Sequence, residues 1–245
     1  ALERTAAFAE NEVDPRWLEA FSITIRHREL FYAELVEPLR RRGHRDLAAA
    51  IARKLAAERG AEIVPSYEHE SIIAGQGTAG LEIAQQAAEL GLDVDNLLVC
   101  CGGGGLTAGC AIAMHAHFPN ARIYTVEPEA FDDTARSLAA GERVANSPAA
   151  RSICDALLTD RPGQLTYDIM REHITAGLTV SDAEVRAAMR FAFRNLKTVV
   201  EPGGAVGLAA VLAGKADTAG KTTAIIFSGG NVDVELFASI QTERT

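Results

Sequence analysis

Gly102, Gly103, Gly104 and Gly105 form the segment of this sequence whose residue types and spacing most directly indicate chemistry. They follow the apolar run at residues 97–101 and precede another apolar stretch. This order predicts a buried strand, a tight loop and a helix. Glycines place no side chain between a ligand and the backbone N–H groups, and a helix N-terminus adds partial positive charge. The pattern therefore predicts an anion site, such as one for a phosphate. The alternative is a glycine-rich, flexible surface turn.

A second motif of small residues follows another apolar run. The sequence Ser-Gly-Gly-Asn at residues 228–231 comes directly after the predicted strand at residues 222–227. Strand and helix patterns alternate between the two glycine motifs, which predicts an α/β fold with a mostly parallel sheet and helices on both faces. Ligands bind such sheets beyond the carboxyl ends of the strands, where both motifs are expected to lie.

The residues around the loop exclude one kind of phosphate ligand, a nucleoside triphosphate, and leave another, a dinucleotide, open. A nucleoside-triphosphate loop needs a lysine after its glycines, and none follows here. A dinucleotide-binding fingerprint is matched in relaxed form by Gly103, Gly105 and Ala108. Glu127 ends the next predicted strand, where an acid would bind a ribose. A Rossmann-type NAD-binding oxidoreductase is therefore one alternative from the motif alone.

Five segments, in order, resemble a family of pyridoxal-phosphate (PLP) enzymes. The chain is similar to the fold-type II group that contains serine/threonine dehydratases (ammonia-lyases) and serine racemases, over about residues 47–240. The resemblance implies a core like the large domain of the tryptophan synthase β chain. The matching segments are Ile-Ala-Gly-Gln-Gly-Thr-Ala-Gly-Leu-Glu at 73–82, Gly-Gly-Gly-Gly-Leu at 102–106, Val-Glu-Pro with Asp-Asp at 126–133, Val-Val-Glu-Pro-Gly-Gly-Ala at 199–205, and Ser-Gly-Gly-Asn at 228–231.

The resemblance assigns three kinds of cofactor contact. It implies that the N–H groups of the four glycines bind the PLP phosphate, with Leu106 opening the helix that points at it. Ser228 would donate a hydrogen bond to the pyridine nitrogen, and Glu201 would lie near the edge of the ring. The alternatives are a turn or capping serine at Ser228, and a first-turn acid that offsets a helix dipole at Glu201.

A divalent cation site is implied by the same resemblance. Glu127, the backbone carbonyl of Phe131 and Asp133 match the positions at which serine racemase-like members hold a cation. Two carboxylates and a carbonyl suit Mg²⁺ or Ca²⁺. The alternative is that Asp132 or Asp133 caps a helix that begins at Thr134.

The catalytic lysine of the family is not identified in this sequence. The family motif Ser-Phe-Lys-x-Arg-Gly, which holds the Schiff-base lysine, and the motif Ser-Ser-Gly-Asn-His-Gly do not occur. Lys54, Lys197, Lys215 and Lys221 all lie in other settings. Residues 1–45 do not resemble the family and are predicted to be a helical segment, with the PLP-binding α/β domain at 46–245. A fragment, one half of a split enzyme and a protein with another role are the competing explanations.

Composition narrows the classes of partner. The net charge is −9 and the isoelectric point is about 5.2, which argues against nucleic acid and anionic membranes. No apolar stretch has membrane-spanning length, and no signal peptide is expected. The four cysteines lack Cys-x-x-Cys spacing, which predicts reduced thiols in a cytoplasmic protein.

The resemblance predicts PLP-dependent β-elimination. The expected substrate is L-threonine or L-serine, and the products are a 2-oxo acid and ammonia. A central sheet that lacks strands predicts association, as a homo-oligomer or with a complementing chain. The alternatives are a non-catalytic pseudoenzyme or partner subunit, and the NAD-binding oxidoreductase.

Overall fold

A computed structural model describes residues 45–60 and 63–243. The sequence predicts a helix that Asp46 caps and that runs to Gly60. Helix α1 (Arg45–Arg59) covers this segment, and Gly60 after it has a positive φ of 63°. This helix belongs to one compact unit, and the residues from Ser66 onward belong to another. The helical segment predicted before it lies outside the described residues, and the domain boundary at residue 46 stays a prediction.

The unit that begins at Ser66 is built on a parallel sheet. Among the described residues the sheet has four strands in the order β3-β2-β1-β4, and every neighbouring pair is parallel. Strands β1 and β2 are almost entirely buried, as expected for a sheet covered on both faces. This architecture confirms the predicted α/β class. The strands are β1 (Asn96–Cys100), β2 (Arg122–Pro128), β3 (Ala176–Val180) and β4 (Thr223–Ile225).

Seven helices of this unit flank the strands within the described residues. Leu97 and Val99 pack against α2 and α3, whereas Leu98 and Cys100 face a core formed with α6, α7 and α8. Successive residues of β1 therefore enter opposite hydrophobic cores, as the strand period of two requires. The helices are α2 (Glu70–Glu89), α3 (Gly105–His117), α4 (Asp133–Ala140), α5 (Gln164–His173), α6 (Asp182–Phe191), α7 (Pro202–Leu212) and α8 (Val234–Thr242).

The sequence pattern predicts a helix from about Thr78 to Leu90, whereas helix α2 begins eight residues earlier, at Glu70. The segment at 73–82 is therefore helical throughout. A Cβ atom on Gly77 would lie 2.9 Å from the carbonyl oxygen of Gly109, and one on Gly80 would lie 2.8 Å from Cα of Cys110. The glycines therefore allow close packing of α2 on α3, which outweighs their low helix propensity.

The sequence Ser-Asp-Ala-Glu at residues 181–184 predicts a capping box for a helix that reaches about Leu196, and helix α6 begins at this box. Ser181 accepts the backbone N–H of Glu184, and the Glu184 carboxylate accepts the backbone N–H of Ser181. The α-helix ends at Phe191 rather than near Leu196, because the last five residues, Ala192–Leu196, form a π-helical turn. Strand β3 and helix α5 are not among the predicted elements, although α5 has one buried face, formed by Thr166, Tyr167 and Met170.

Candidate cofactor site

The glycine loop joins the end of β1 to the beginning of α3. Gly104 is the N-cap residue, with a left-handed φ of 94°, and it has no side chain to cap the helix. Gly103, Gly104 and Gly105 are buried. A flexible surface turn is therefore excluded for this segment. A buried helix N-terminus that lacks a side-chain cap is the arrangement in which a ligand anion can accept the free N–H groups.

Side chains from two other segments, helix α5 and the residues before α2, hold this loop. The Thr166 hydroxyl donates to the carbonyl of Gly103 at 2.7 Å. A Cβ on Gly103 would overlap the ring of Tyr67, and one on Gly104 would lie 2.7 Å from Cε of Met170. The glycines are therefore required by packing as well as by backbone conformation, and the loop has a fixed shape.

Ser228 lies beside the end of β1. Strand β4 pairs with β1, and the backbone N–H of Ile226 donates to the carbonyl of Leu98, which carries Ser228 to the same edge as the loop. The Cys100 thiol donates to the Ser228 hydroxyl at 3.1 Å. Burial raises the pKa of Cys100 above its ordinary value of 9.0, so its thiol stays protonated as a donor. The hydroxyl keeps its own proton for another acceptor.

Glu201 lies next to the Ser228 segment. Its backbone N–H donates to the carbonyl of Gly229 at 3.0 Å, and its carboxylate accepts the backbone N–H of Asn231. A Cβ on Gly229 would lie 2.7 Å from the Glu201 carboxylate. Burial, and then the charge of Asp155, raises the pKa of Glu201. Glu201 is the N-cap residue of α7 and makes no side-chain cap. Its position at the helix N-terminus also fits the alternative of an acid that offsets the helix dipole.

Glu127 has a different role from the one expected of a ribose-binding acid. It is fully buried, and its two carboxylate oxygens accept the backbone N–H groups of Thr134 at 2.9 Å and Ala135 at 2.7 Å. The carboxylate therefore caps α4 from the end of the neighbouring strand. Burial, and then the charge of Asp133, raises its pKa to about 8. This use of Glu127 removes the acid on which a dinucleotide site depended.

Neither Asp132 nor Asp133 caps α4 with its side chain, contrary to the alternative prediction from the sequence. Asp132 is the N-cap residue without a side-chain cap bond, and it pairs with Arg136 at 2.6 Å. One Asp133 oxygen accepts the Asn146 amide, and the other is buried without a partner. Burial raises the pKa of Asp133 to about 7. The structure thus brings two of the three predicted cation ligands, Glu127 and Asp133, close enough for their charges to interact. Among the described residues no group of three or more His, Cys, Asp or Glu side chains could hold a metal ion.

Each of the four lysines of the chain contacts a carboxylate or a backbone carbonyl within its own unit. Lys215 donates to the carbonyl of Thr179 and pairs with Glu184 at 2.7 Å. Lys197 and Lys54 are exposed and Lys221 is half-buried: Lys197 donates to the carbonyl of Arg194, Lys221 pairs with Asp217, and Lys54 lies 3.8 Å from Glu58. A lysine that forms a Schiff base needs a neutral amine in a buried site. None of these four has that environment.

Three residues of the site were missed or undervalued in the sequence. Tyr67 packs on the loop but precedes the recognisable motif, so no sequence pattern marked it. Cys100 resembled an ordinary buried cysteine at the end of a strand. The side chain of Gln76 reaches the first residue of α3, whereas its sequence context suggests only that it shapes the pocket.

Comparison with known proteins agrees with this geometry. A family model for pyridoxal-phosphate dependent enzymes matches residues 23–229. An L-threo-3-hydroxyaspartate ammonia-lyase from Pseudomonas sp is 43% identical over 191 residues, which are 78% of this chain and 58% of that protein. A serine racemase from Schizosaccharomyces pombe is 37% identical over 195 residues, 80% of this chain and 59% of that protein.

Solved structures show the same likeness. A threonine deaminase from T.th. superposes with a TM-score of 0.72 at 40% identity, covering 76% of this chain and 60% of that chain. Maize serine racemase superposes with a TM-score of 0.71 at 34% identity, covering 78% and 58%. The chain spans somewhat more than half the length of these relatives. On its fold, its glycine loop and the family match over most of its length, the chain belongs to the pyridoxal-phosphate dependent enzyme family, fold type II.

Proposed function

We propose that this chain provides the phosphate-binding and ring-binding parts of a PLP-dependent ammonia-lyase. The observation that carries the proposal is the buried N-terminus of α3, whose glycine N-cap leaves its first N–H groups without a side-chain acceptor. Gly102, Gly103, Gly104 and Gly105, with Leu106, would bind the phosphate. Ser228 comes after strand β4, and Glu201 lies at the N-terminus of α7. From these positions both would contact the ring.

The side chains at the ring end suit elimination. When bound, PLP withdraws electrons from the α-carbon of an amino acid attached to it. The Ser228 hydroxyl donates a neutral hydrogen bond and does not hold the pyridine nitrogen protonated as a carboxylate would. The bound ring would therefore withdraw electrons only moderately, which favours loss of a β-substituent.

The proposed substrate class is the β-hydroxy amino acids. L-Threonine and L-serine follow from the resemblance, and 3-hydroxyaspartate is added by the names of two similar relatives. Loss of the β-hydroxyl and hydrolysis would give a 2-oxo acid and ammonia. We further propose that the protein works in the cytoplasm as a homo-oligomer or with a complementing chain. Within the described residues, no helix is long and apolar enough to cross a membrane.

The decisive experiment tests whether a lysine of this chain forms the Schiff base with PLP. Because each of the four lysines contacts a carboxylate or a backbone carbonyl, we expect the purified chain to bind PLP weakly and to release little 2-oxo acid from L-threonine, L-serine or 3-hydroxyaspartate. Borohydride reduction followed by peptide mass spectrometry would then find no single modified lysine. Rapid turnover together with stoichiometric labelling of one lysine of this chain would contradict the proposal.

A non-catalytic role is the second candidate, and the same lysines favour it. A pseudoenzyme or partner subunit would bind a PLP analogue at the glycine loop yet remain inactive when mixed with any lysine-bearing chain that complements the fold. Restored turnover in such a mixture would support the split enzyme instead.

We also propose a divalent cation at Glu127, the carbonyl of Phe131 and Asp133. Support comes from the buried Asp133 oxygen without a partner and from the raised pKa values of the two neighbouring carboxyl groups. Mg²⁺ or Ca²⁺ would offset this buried negative charge. We expect millimolar Ca²⁺ to raise the thermal midpoint of the chain and Asp133→Asn to abolish the rise. Asp132→Asn is the control, because that carboxylate is paired with Arg136. An equal rise in both variants would count against the site.

A further inference from the structure

The amide oxygen of Gln76 is an unexplained polar atom at the start of α3. It is buried and has no hydrogen-bond partner. A Cβ atom on Gly105 would overlap it, so the amide rests directly against the first residue of α3. Buried polar atoms in folded proteins are nearly always paired, and an unpaired one calls for a missing partner.

The backbone fixes this amide in place. Gly77, the next residue, packs against the backbone of Gly109, and the carbonyl of Gln76 accepts the Cys110 thiol at 3.7 Å. Both contacts tie residue 76 to the first turns of α3. The Gln76 side chain therefore reaches the loop from a rigid helix pair, as a ligand-binding group should.

The anion expected at the loop decides whether the oxygen or the nitrogen of the Gln76 amide faces it. An oxygen with no donor is unfavourable where a bound anion is expected, because two acceptors would face each other. A carboxamide exchanges its oxygen and nitrogen by a 180° rotation about its last torsion, with little change in shape. After that rotation, Nε2 stands beside Gly105 with N–H groups to donate.

We propose that Gln76 is a further residue of the phosphate-binding site, and that its Nε2 donates to a phosphate oxygen alongside the loop N–H groups. This inference rests on the proposed function, since it requires the phosphate at residues 102–105. A phosphate dianion has more acceptor sites than a few backbone N–H groups can fill. The added donor accounts for the buried, unpaired atom.

The test uses pyridoxamine 5′-phosphate as the probe and pyridoxamine as its phosphate-free counterpart. Pyridoxamine phosphate has no aldehyde, so it cannot attach to surface lysines. Dissociation constants are measured by fluorescence on the full chain and its variants, and folding is checked by circular dichroism. The variants are Gln76→Glu, which replaces the donor with a charge that repels phosphate, and Gln76→Met, which removes the donor at similar volume. The control is Gln85→Glu, the same charge change at an exposed position of α2.

We expect Gln76→Glu to weaken pyridoxamine phosphate binding by at least about tenfold and Gln76→Met by about three- to tenfold. Gln85→Glu should change it less than about twofold, and pyridoxamine binding should not distinguish the variants. If the unmodified chain binds both probes equally, the proposed phosphate site itself fails. If it prefers pyridoxamine phosphate but folded Gln76→Met and Gln85→Glu bind it as the unmodified chain does, only the role of Gln76 is overturned.

Discussion

At the scale of single residues, the loop glycines are required for two separable reasons. Gly104 has a positive φ and is closely surrounded, with the Thr166 side chain 3.0 Å and Met170 Cε 2.7 Å from the position of a Cβ. Gly141, at the end of α4, has a positive φ of 76° with no atom within 4 Å of that position. The pair therefore separates backbone strain from crowding.

Gly104→Ala should lower the free energy of unfolding by about 3 kcal/mol, because strain and overpacking add. Gly141→Ala should lower it by about 1–2 kcal/mol, because only the strain applies. Urea unfolding of both variants measures the difference. Equal losses would mean that the loop yields to the added methyl group.

At the scale of helices and strands, the most family-like segment of the sequence serves helix packing as well as any ligand. Gly77, Gly80 and Gly109 bring the α2 and α3 backbones together, and this contact positions the start of α3 at the end of β1. Gly75 in the same helix has no atom within 4 Å of its Cβ position. Substitution by alanine is thus expected to change the free energy of unfolding in opposite directions at Gly75 and Gly77.

Gly75→Ala should raise the free energy of unfolding by about 0.5–1 kcal/mol, since alanine has the higher helix propensity. Gly77→Ala should lower it by about 1–3 kcal/mol, because the methyl group meets the Gly109 backbone. Chemical denaturation of the two variants side by side gives the signs. A stabilised Gly77→Ala would show that α2 and α3 are not closely packed.

A histidine pair joins the C-terminal ends of α3 and α5. The Nδ1 atoms of His115 and His173 are 3.0 Å apart, and His115 Nε2 lies 3.1 Å from the carbonyl of Ala121. Because Nε2 must donate to that carbonyl, neutral His115 accepts through Nδ1 and His173 donates. Burial, and then the charge of His115, lowers the pKa of His173 below 6.5, with Glu172 acting in the opposite direction.

The contribution of His173 to stability should therefore fall as the pH drops below about 6.5, since its imidazole binds the proton more tightly in the unfolded chain than in the folded one. The raised pKa values of Glu127 and Asp133 contribute in the opposite direction, so the effect is isolated by comparing variants. The free energy of unfolding, measured between pH 5 and 7.5, should lose part of this slope in His173→Gln. His117→Gln is the control, because His117 is exposed at the same end of α3. An unchanged slope in His173→Gln would assign the pH dependence to other groups.

At the scale of the whole molecule, the candidate site connects both layers of the fold. The glycine loop leads into α3 on one face of the sheet, whereas Ser228 and Glu201 lie beside the core that contains α7 on the other. A ligand held at both ends would therefore join elements that are otherwise linked mainly through the sheet. Binding should then stabilise the molecule as a whole rather than one element.

Pyridoxamine phosphate at about 100 times its dissociation constant should add about 2.7 kcal/mol of stability, a rise of about 5–10 °C in the thermal midpoint. Pyridoxamine at the same concentration should add clearly less, because it lacks the phosphate. Thermal denaturation followed by circular dichroism measures both. Equal shifts for the two compounds would show that the glycine loop does not bind the phosphate.

The sequence by itself determined the parallel α/β class, the strand–loop–helix order around residues 102–105 and the capping box at Ser181. These features follow from local periodicity and from backbone preferences, which neighbouring residues set. Only the tertiary structure decided that the 73–82 segment is helical, that Glu127 caps α4 from the end of β2, and that Gln76 faces Gly105. Each of these depends on contacts between separate segments, and burial then fixes both the packing and the protonation of the groups involved.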